Sequence, residues 1–123
     1  MNGSNILLDT NTVLYFLSGD QTVADFIKEK KLFVSIITEL ELLSYKNLNV
    51  KEIKIISAFL KEIHIENISP EVKEEAIKIR KNTNLKLPDC IIAATSISLQ
   101  IPIFSADKEL KSVEGLDFIY YEK

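Results

Sequence analysis

Carboxylates recur where the apolar segments of this chain break off. Asp9 directly follows Ile6, Leu7 and Leu8; Glu39 and Glu41 come after residues 32–35; Asp107 comes after Ile103, Phe104 and Ser105. Asp89 opens the apolar stretch that precedes this last segment. If the apolar segments are parallel strands, the acids gather at their carboxyl ends, where ligands and chemistry collect in alternating β/α chains. Carboxylates crowded on one edge repel each other unless a cation lies among them. Mg²⁺ and Mn²⁺ take hard oxygen ligands and bind through a few carboxylates, waters and substrate phosphate oxygens. Such a centre activates water and offsets charge that builds on phosphorus and the leaving oxygen of a phosphodiester. A divalent metal site is the economical reading.

Each acid also has a purely structural reading. Asp9 can cap the helix that follows it, and Asp89 can favour the positive end of its own helix. Asp107 can cap a short last helix or reach a metal through water. The stretch from Thr38 to Glu41 has the form of a capping box, with a hydroxyl at the cap and a carboxylate three residues on. Glu39 stands two residues from Glu41, points elsewhere on the helix and is expected at the surface. Asp9, Glu41, Asp89 and Asp107 falling at one end of the sheet outweigh these separate accounts. His64 and Cys90 are expected to be structural, and Tyr120 and Tyr121 to pack a terminal strand or an interface.

The elements that must place the acids follow from periodicity and capping signals. A strand over 5–9 leads into a helix over Thr10–Leu17, closed by Ser18 and Gly19. Asp20 caps a second helix over 20–30, followed by a strand over 32–35 and a helix begun by Thr38. A helix from 49 or 50 to 62 and a strand over 63–66 come next. Ser69 followed by Pro70 starts another helix. Residues 89–99 form a helix that is apolar nearly all round, hence central and buried. A strand over 103–105, a short helix over 107–111 and a strand over 118–121 complete the chain. Strands alternating with helices predict an α/β fold: a three-layer α/β/α sandwich with a mainly parallel sheet and right-handed crossovers. At 123 residues it is expected to be one domain, 1–123.

Composition agrees. The chain is 46% hydrophobic and 27% charged, and no apolar run approaches the roughly 20 residues that span a bilayer. The N-terminal residues lack the basic start and small-residue cleavage site of a secretory signal, so no membrane association and a cytoplasmic location are expected. Cys90 is the single cysteine, which rules out an internal disulfide and a cysteine-based zinc site. Net charge is −3, so no global basic field advertises nucleic acid. The first 27 residues carry no Lys or Arg, whereas residues 46–86 hold nine of the fifteen. Acids interleave with them, which suits a solvated helical surface; the sharper reading is a rim that meets phosphates beside the acidic centre.

Four segments together, ILLDTN at 6–11, VSIITELELL at 34–43, LPDCIIAAT at 87–95 and PIFSADK at 102–108, resemble a PIN domain. The likeness is nearest to the VapC-like toxins of prokaryotic type II toxin–antitoxin modules, and it covers essentially the whole chain in the family's order. The resemblance implies a parallel α/β/α sandwich and a Mg²⁺- or Mn²⁺-dependent endoribonuclease that cuts RNA. It places metal-binding and catalytic acids at Asp9, Glu41, Asp89 and Asp107. Thr38 and Leu42 set the register that selects Glu41 over Glu39. Thr10, Asn11 and Ser105 become the polar residues beside the acids. A homodimer and a cognate antitoxin protein laid over the active-site groove are further implications. Ser96, Gln100 and Ser105 depart mildly from the family pattern, and no acid is missing.

Other classes fit less well. A receiver domain needs an acid pair ending its first strand and a phosphoacceptor Asp ending its third, and residues 64–68 offer no Asp. A haloacid-dehalogenase-like phosphatase needs a second acid where Asn11 stands. A non-catalytic PIN-like module that binds RNA or protein would tolerate neutralisation of the acids.

Overall fold

The structure, a computed structural model, describes residues 4–123. Five strands form one sheet: β1 (Asn5–Leu8), β2 (Lys31–Ser35), β3 (His64–Glu66), β4 (Ile103–Ser105) and β5 (Phe118–Tyr120). Their order is β3-β2-β1-β4-β5, and all four pairings are parallel. Parallel neighbours need crossovers, and helices supply them: α1 (Thr10–Leu17), α2 (Gln21–Ile27), α3 (Ile36–Leu43), α4 (Val50–Lys61), α5 (Pro70–Asn82) and α6 (Leu87–Leu99). A 3₁₀ helix, Lys108–Ser112, precedes β5. This strand order differs from the 2-1-3-4-5 order of receiver-like sheets, so the receiver alternative falls.

Strand alternation divides the core between the two faces of the sheet. Leu7, Phe33 and Ile103 face one side and pack with Val72, Ala76 and Ile79 of α5 and Cys90, Ile92, Ala93 and Ala94 of α6. Ile6, Leu8, Val34 and Phe104 face the other, against Val13 of α1, Val23 and Ile27 of α2, Leu42 of α3, and Ile56 and Leu60 of α4. The result is the expected α/β/α sandwich. Helix α6 is buried as its composition requires, and burial pushes the Cys90 thiol pKa up.

Most element boundaries fall within a residue or so of the sequence reading, and those of α2, α3 and α6 differ for physical reasons. Helix α2 ends at Ile27 because Glu29 takes a left-handed turn, with φ of 66°, that brings the chain into β2 at Lys31. Helix α3 begins at Ile36, capped by the Ser35 side chain through the Ile37 N–H. Thr38 is therefore no cap: it lies inside the helix, fully buried, and its hydroxyl serves another purpose described below. A capping box does form, but at Asn49 and Glu52, where both reciprocal hydrogen bonds are present at the start of α4. Helix α6 begins two residues early, at Leu87, which puts Asp89 in its first turn.

This topology brings the acids to one edge. The chain leaves β1 for β2 and β3 on one side, then returns to place β4 on the other side of β1. The order reverses between β1 and β4, the point where open α/β sheets form a crevice beyond the carboxyl ends of their strands. A crossover helix runs antiparallel to the strands, so the first turn of α6, which feeds β4, returns to that same edge. Among the described residues, no helix is long and apolar enough to cross a membrane.

Candidate metal centre

Asp9 is both the cap of α1 and the centre of a hydroxyl network. Its Oδ1 accepts from the Thr12 backbone N–H at 3.0 Å and lies 2.6 Å from the Thr12 hydroxyl. That hydroxyl also stands 3.2 Å from the Phe104 carbonyl, tying α1 to β4. The other oxygen, Oδ2, accepts a short hydrogen bond from the Ser105 hydroxyl. Ser105 in turn accepts from the Asp107 N–H at 3.0 Å. Ser105 and Thr12 are fully buried, so these partners hold the carboxylate in one orientation. Asp107 caps the 3₁₀ helix through the Glu109 N–H at 3.0 Å.

A second hydroxyl relay positions Glu41. Thr10 Oγ1 donates to Glu41 Oε1 at 2.5 Å and lies 3.0 Å from Thr38 Oγ1. The buried Thr38 of α3 and the buried Thr10 of α1 thus brace the carboxylate between two helices. Glu39 takes part in neither relay. Asn11 is exposed and makes no hydrogen bond to the acids.

The carboxylates act on one another. Partial burial, then the charges of Asp107, Glu41, Asp9 and Glu109 in that order, raise the Asp89 pKa from 3.8 to about 6. All four sequence-predicted acids are therefore within electrostatic reach at one edge, together with Glu109, which the sequence reading missed. As the side chains stand, no group of three or more His, Cys, Asp or Glu among the described residues is gathered closely enough to hold a metal ion. The relays account for the spacing: Asp9 is turned toward Ser105 and Thr12, and Glu41 toward Thr10. The donors are hard oxygens of the kind Mg²⁺ and Mn²⁺ accept, and a cation among them would reverse the repulsion felt by Asp89. By its chemistry, four carboxylates with hydroxyls beside them, the donor set fits such an ion.

The basic residues divide by element. Lys51, Lys54 and Lys61 lie exposed along α4, and Lys73, Lys78, Arg80 and Lys81 along α5, as a solvated surface would have them. Lys86 is the N-cap residue of α6, three positions before Asp89. His64 is exposed and pairs with Glu66 at 2.7 Å, at the far side of the sheet on β3.

Residues 6–116 match the family model of the PIN domain. The chain belongs to the PIN-domain family. No curated protein sequence matches it, but solved structures do. A chain of the VapBC2 complex from Rickettsia felis, bound to a DNA fragment from its promoter, superposes with a TM-score of 0.83 at 15% identity, covering 96% of this chain and 99% of that one. A chain of a toxin–antitoxin complex from Klebsiella pneumoniae gives 0.81 at 25% identity over 96% and 99%. VapBC-1 from nontypeable Haemophilus influenzae gives 0.80 at 19% identity over 97% and 99%. This PIN domain thus has the fold found in VapBC assemblies over nearly its full length.

Crowding of the acids sets a sign that can be measured. Asp89, with a folded pKa of about 6 against 3.8 ordinarily, holds its proton more tightly folded than unfolded. Its contribution to stability is complete below the unfolded value and is lost as pH rises through about 6. In EDTA, Asp89→Asn should therefore stabilise the PIN domain at pH 7 relative to the parent and remove this stretch of pH dependence. Asp9→Asn, which keeps a cap-competent side chain, should be neutral or stabilising there. Urea melts at a series of pH values between 4 and 8 decide this, and a stability unmoved by Asp89→Asn across that range would show that neither burial nor the neighbouring acids hold the Asp89 proton.

Proposed function

We propose that this PIN domain is a Mg²⁺- or Mn²⁺-dependent endoribonuclease and the toxin of a toxin–antitoxin pair. The observation that carries the reading is the acid edge: Asp9 held by Ser105 and Thr12, Glu41 held by Thr10, which Thr38 backs, and Asp89 raised by burial and by the neighbouring acids at the switch point of the sheet. Asp9, Glu41, Asp89 and Asp107 would hold the ion, and Thr10 and Ser105 orient its ligands. The chemistry such an ion supplies is polarisation of the phosphodiester and activation of the attacking water. The chain's part is to fix carboxylates on rigid elements so that little reorganisation remains when substrate arrives. Asn11, exposed on the second position of α1, is placed to meet substrate rather than to brace an acid. The family and the superposition on toxin–antitoxin assemblies support RNA as substrate and an antitoxin as partner.

The apolar surface supports a homodimer. Val13, Leu42 and Tyr121 are buried in the chain's own core, and Leu14, Tyr15, Phe16 and Leu17 pack against it. The exposed apolar side chains near the acid edge are Leu40, Leu43, Tyr45 and Leu87. Leu40 and Tyr45 border a shallow groove with Glu41 and Pro88. A second copy packed on this face would cover them and narrow the approach to Glu41.

Purified protein with Mn²⁺ or Mg²⁺ should cut single-stranded RNA. EDTA, Asp9→Asn or Asp89→Asn should slow cleavage on the order of 10²-fold or more, because residues sharing one ion act as a unit. Glu41→Gln should cost far more than Glu39→Gln; equal losses would place the register elsewhere. Expression without an antitoxin should arrest growth, and Asp9→Asn should abolish the arrest. For assembly, light scattering should give a dimer at tens of micromolar, on the order expected for a standard-size interface. Leu40→Glu with Leu43→Glu should yield monomer. A parent already monomeric removes the dimer.

A further inference from the structure

The acid edge by itself is a poor place for a polyanion to bind. Asp9, Glu41, Asp89, Asp107 and Glu109 bear on one another there, and the chain as a whole is at −3. Binding of a phosphodiester strand therefore needs local cations close by, and these lie in a cleft of about 500 Å³ between the end of α5 and the 3₁₀ helix. Lys108 and Glu109 line this cleft from the first turn of the 3₁₀ helix that Asp107 caps, so the cleft lies beside the acid edge. Lys108 and Lys111 flank it. Neither lysine has an ion-pair partner among the described residues, where the ion pairs are His64 with Glu66 and Lys123 with Asp20. Lys111 lies 5.0 Å from the centre of the Tyr120 ring, which holds the side chain without neutralising it.

The cleft's uncharged polar groups divide by what they already do. Asn82 donates to the Lys78 carbonyl at 2.8 Å, and the Thr83 hydroxyl to the Ile79 carbonyl at 2.8 Å. Both are spent closing the last turn of α5. Asn84 makes no side-chain hydrogen bond within the described residues and remains able to donate and accept. Two unpaired ammonium groups and a free amide beside an acidic centre match a single strand: charge for phosphates, and an amide for a base edge or a 2′-hydroxyl.

We propose that this cleft seats the stretch of RNA that flanks the scissile phosphodiester, with Lys108 and Lys111 on phosphates and Asn84 on a base or ribose. The inference rests on the nuclease reading and adds where its substrate strand runs. Lys108 and Lys111 supply ground-state affinity, and the acid edge supplies the chemistry.

The test is fluorescence anisotropy of a labelled single-stranded RNA, titrated with the full chain carrying Asp9→Asn so that it is not cut, across a range of salt. Adding Lys108→Ala and Lys111→Ala should weaken binding about tenfold. It should also flatten the plot of log affinity against log salt by about 1.4, since each phosphate contact to a single strand contributes about 0.7. Asn84→Ala should weaken binding and leave the slope alone, and Lys54→Ala on α4 should change neither. A slope unchanged by the double substitution overturns the cleft, because a merely structural role of the lysines would not move it. Cleavage of the same RNA by the chain with Asp9 intact separates the two claims. If it cuts while the slope is unchanged, only the cleft falls; if it neither cuts nor binds, the nuclease reading falls with it.

Discussion

Because Leu7 pairs with Ile103 and Leu8 with Phe104, Asp9 and Ser105 leave the sheet side by side. The hydroxyl of Ser105 then reaches a carboxylate 96 residues earlier in the chain. Everything at the acid edge hangs on this parallel pairing. It sets the orientation of Asp9 and, through the Asp107 N–H on Ser105, the start of the 3₁₀ helix that carries Lys108 and Glu109. Hydrogen bonds to a charged group contribute roughly 1.5–3 kcal/mol each, so the three that converge on Asp9 offset much of what crowding costs. Like charges can share an edge here because hydroxyls, not water alone, hold the first of them.

The same logic repeats on the neighbouring strand. Ser35 ends β2, caps α3 and turns that helix so that Thr38 meets Thr10 and both brace Glu41. Two buried serines and three buried threonines thus stand where an enzyme of this fold needs rigid supports. Asp89 differs: among the described residues no side-chain hydrogen bond holds its carboxyl, and burial together with the neighbouring acids raises its pKa to about 6.

Much of this was legible in the residues. Asp9 and Asp107 announce themselves by position after apolar runs and Asp89 at the head of one, and alternation of strands and helices places these junctions together. The capping box that offers Glu41 a purely structural role does not form. A hydroxyl three residues before a carboxylate suggests a cap, but the real cap is Ser35, and the partner of Thr38 lies 28 residues away in sequence. Short-range patterns cannot see such a contact. Glu109 was missed for a similar reason: it is one exposed acid among many until the 3₁₀ turn, capped by Asp107, brings it toward Asp89. The apolar residues of α1 find partners far along the chain in the same way: Phe16 meets Phe59 of α4, and Tyr15 meets Tyr121 from beyond β5.

Crystals of the protein grown with Mn²⁺, with diffraction recorded at the manganese edge, test whether the acids at the β1–β4 switch point form a divalent metal site. An anomalous peak is expected within about 2.5 Å of carboxylate oxygens of Asp9 and Asp89, with the Ser105 hydroxyl still on Asp9. Manganese bound elsewhere at saturating concentration, with that edge free of anomalous signal, would contradict it.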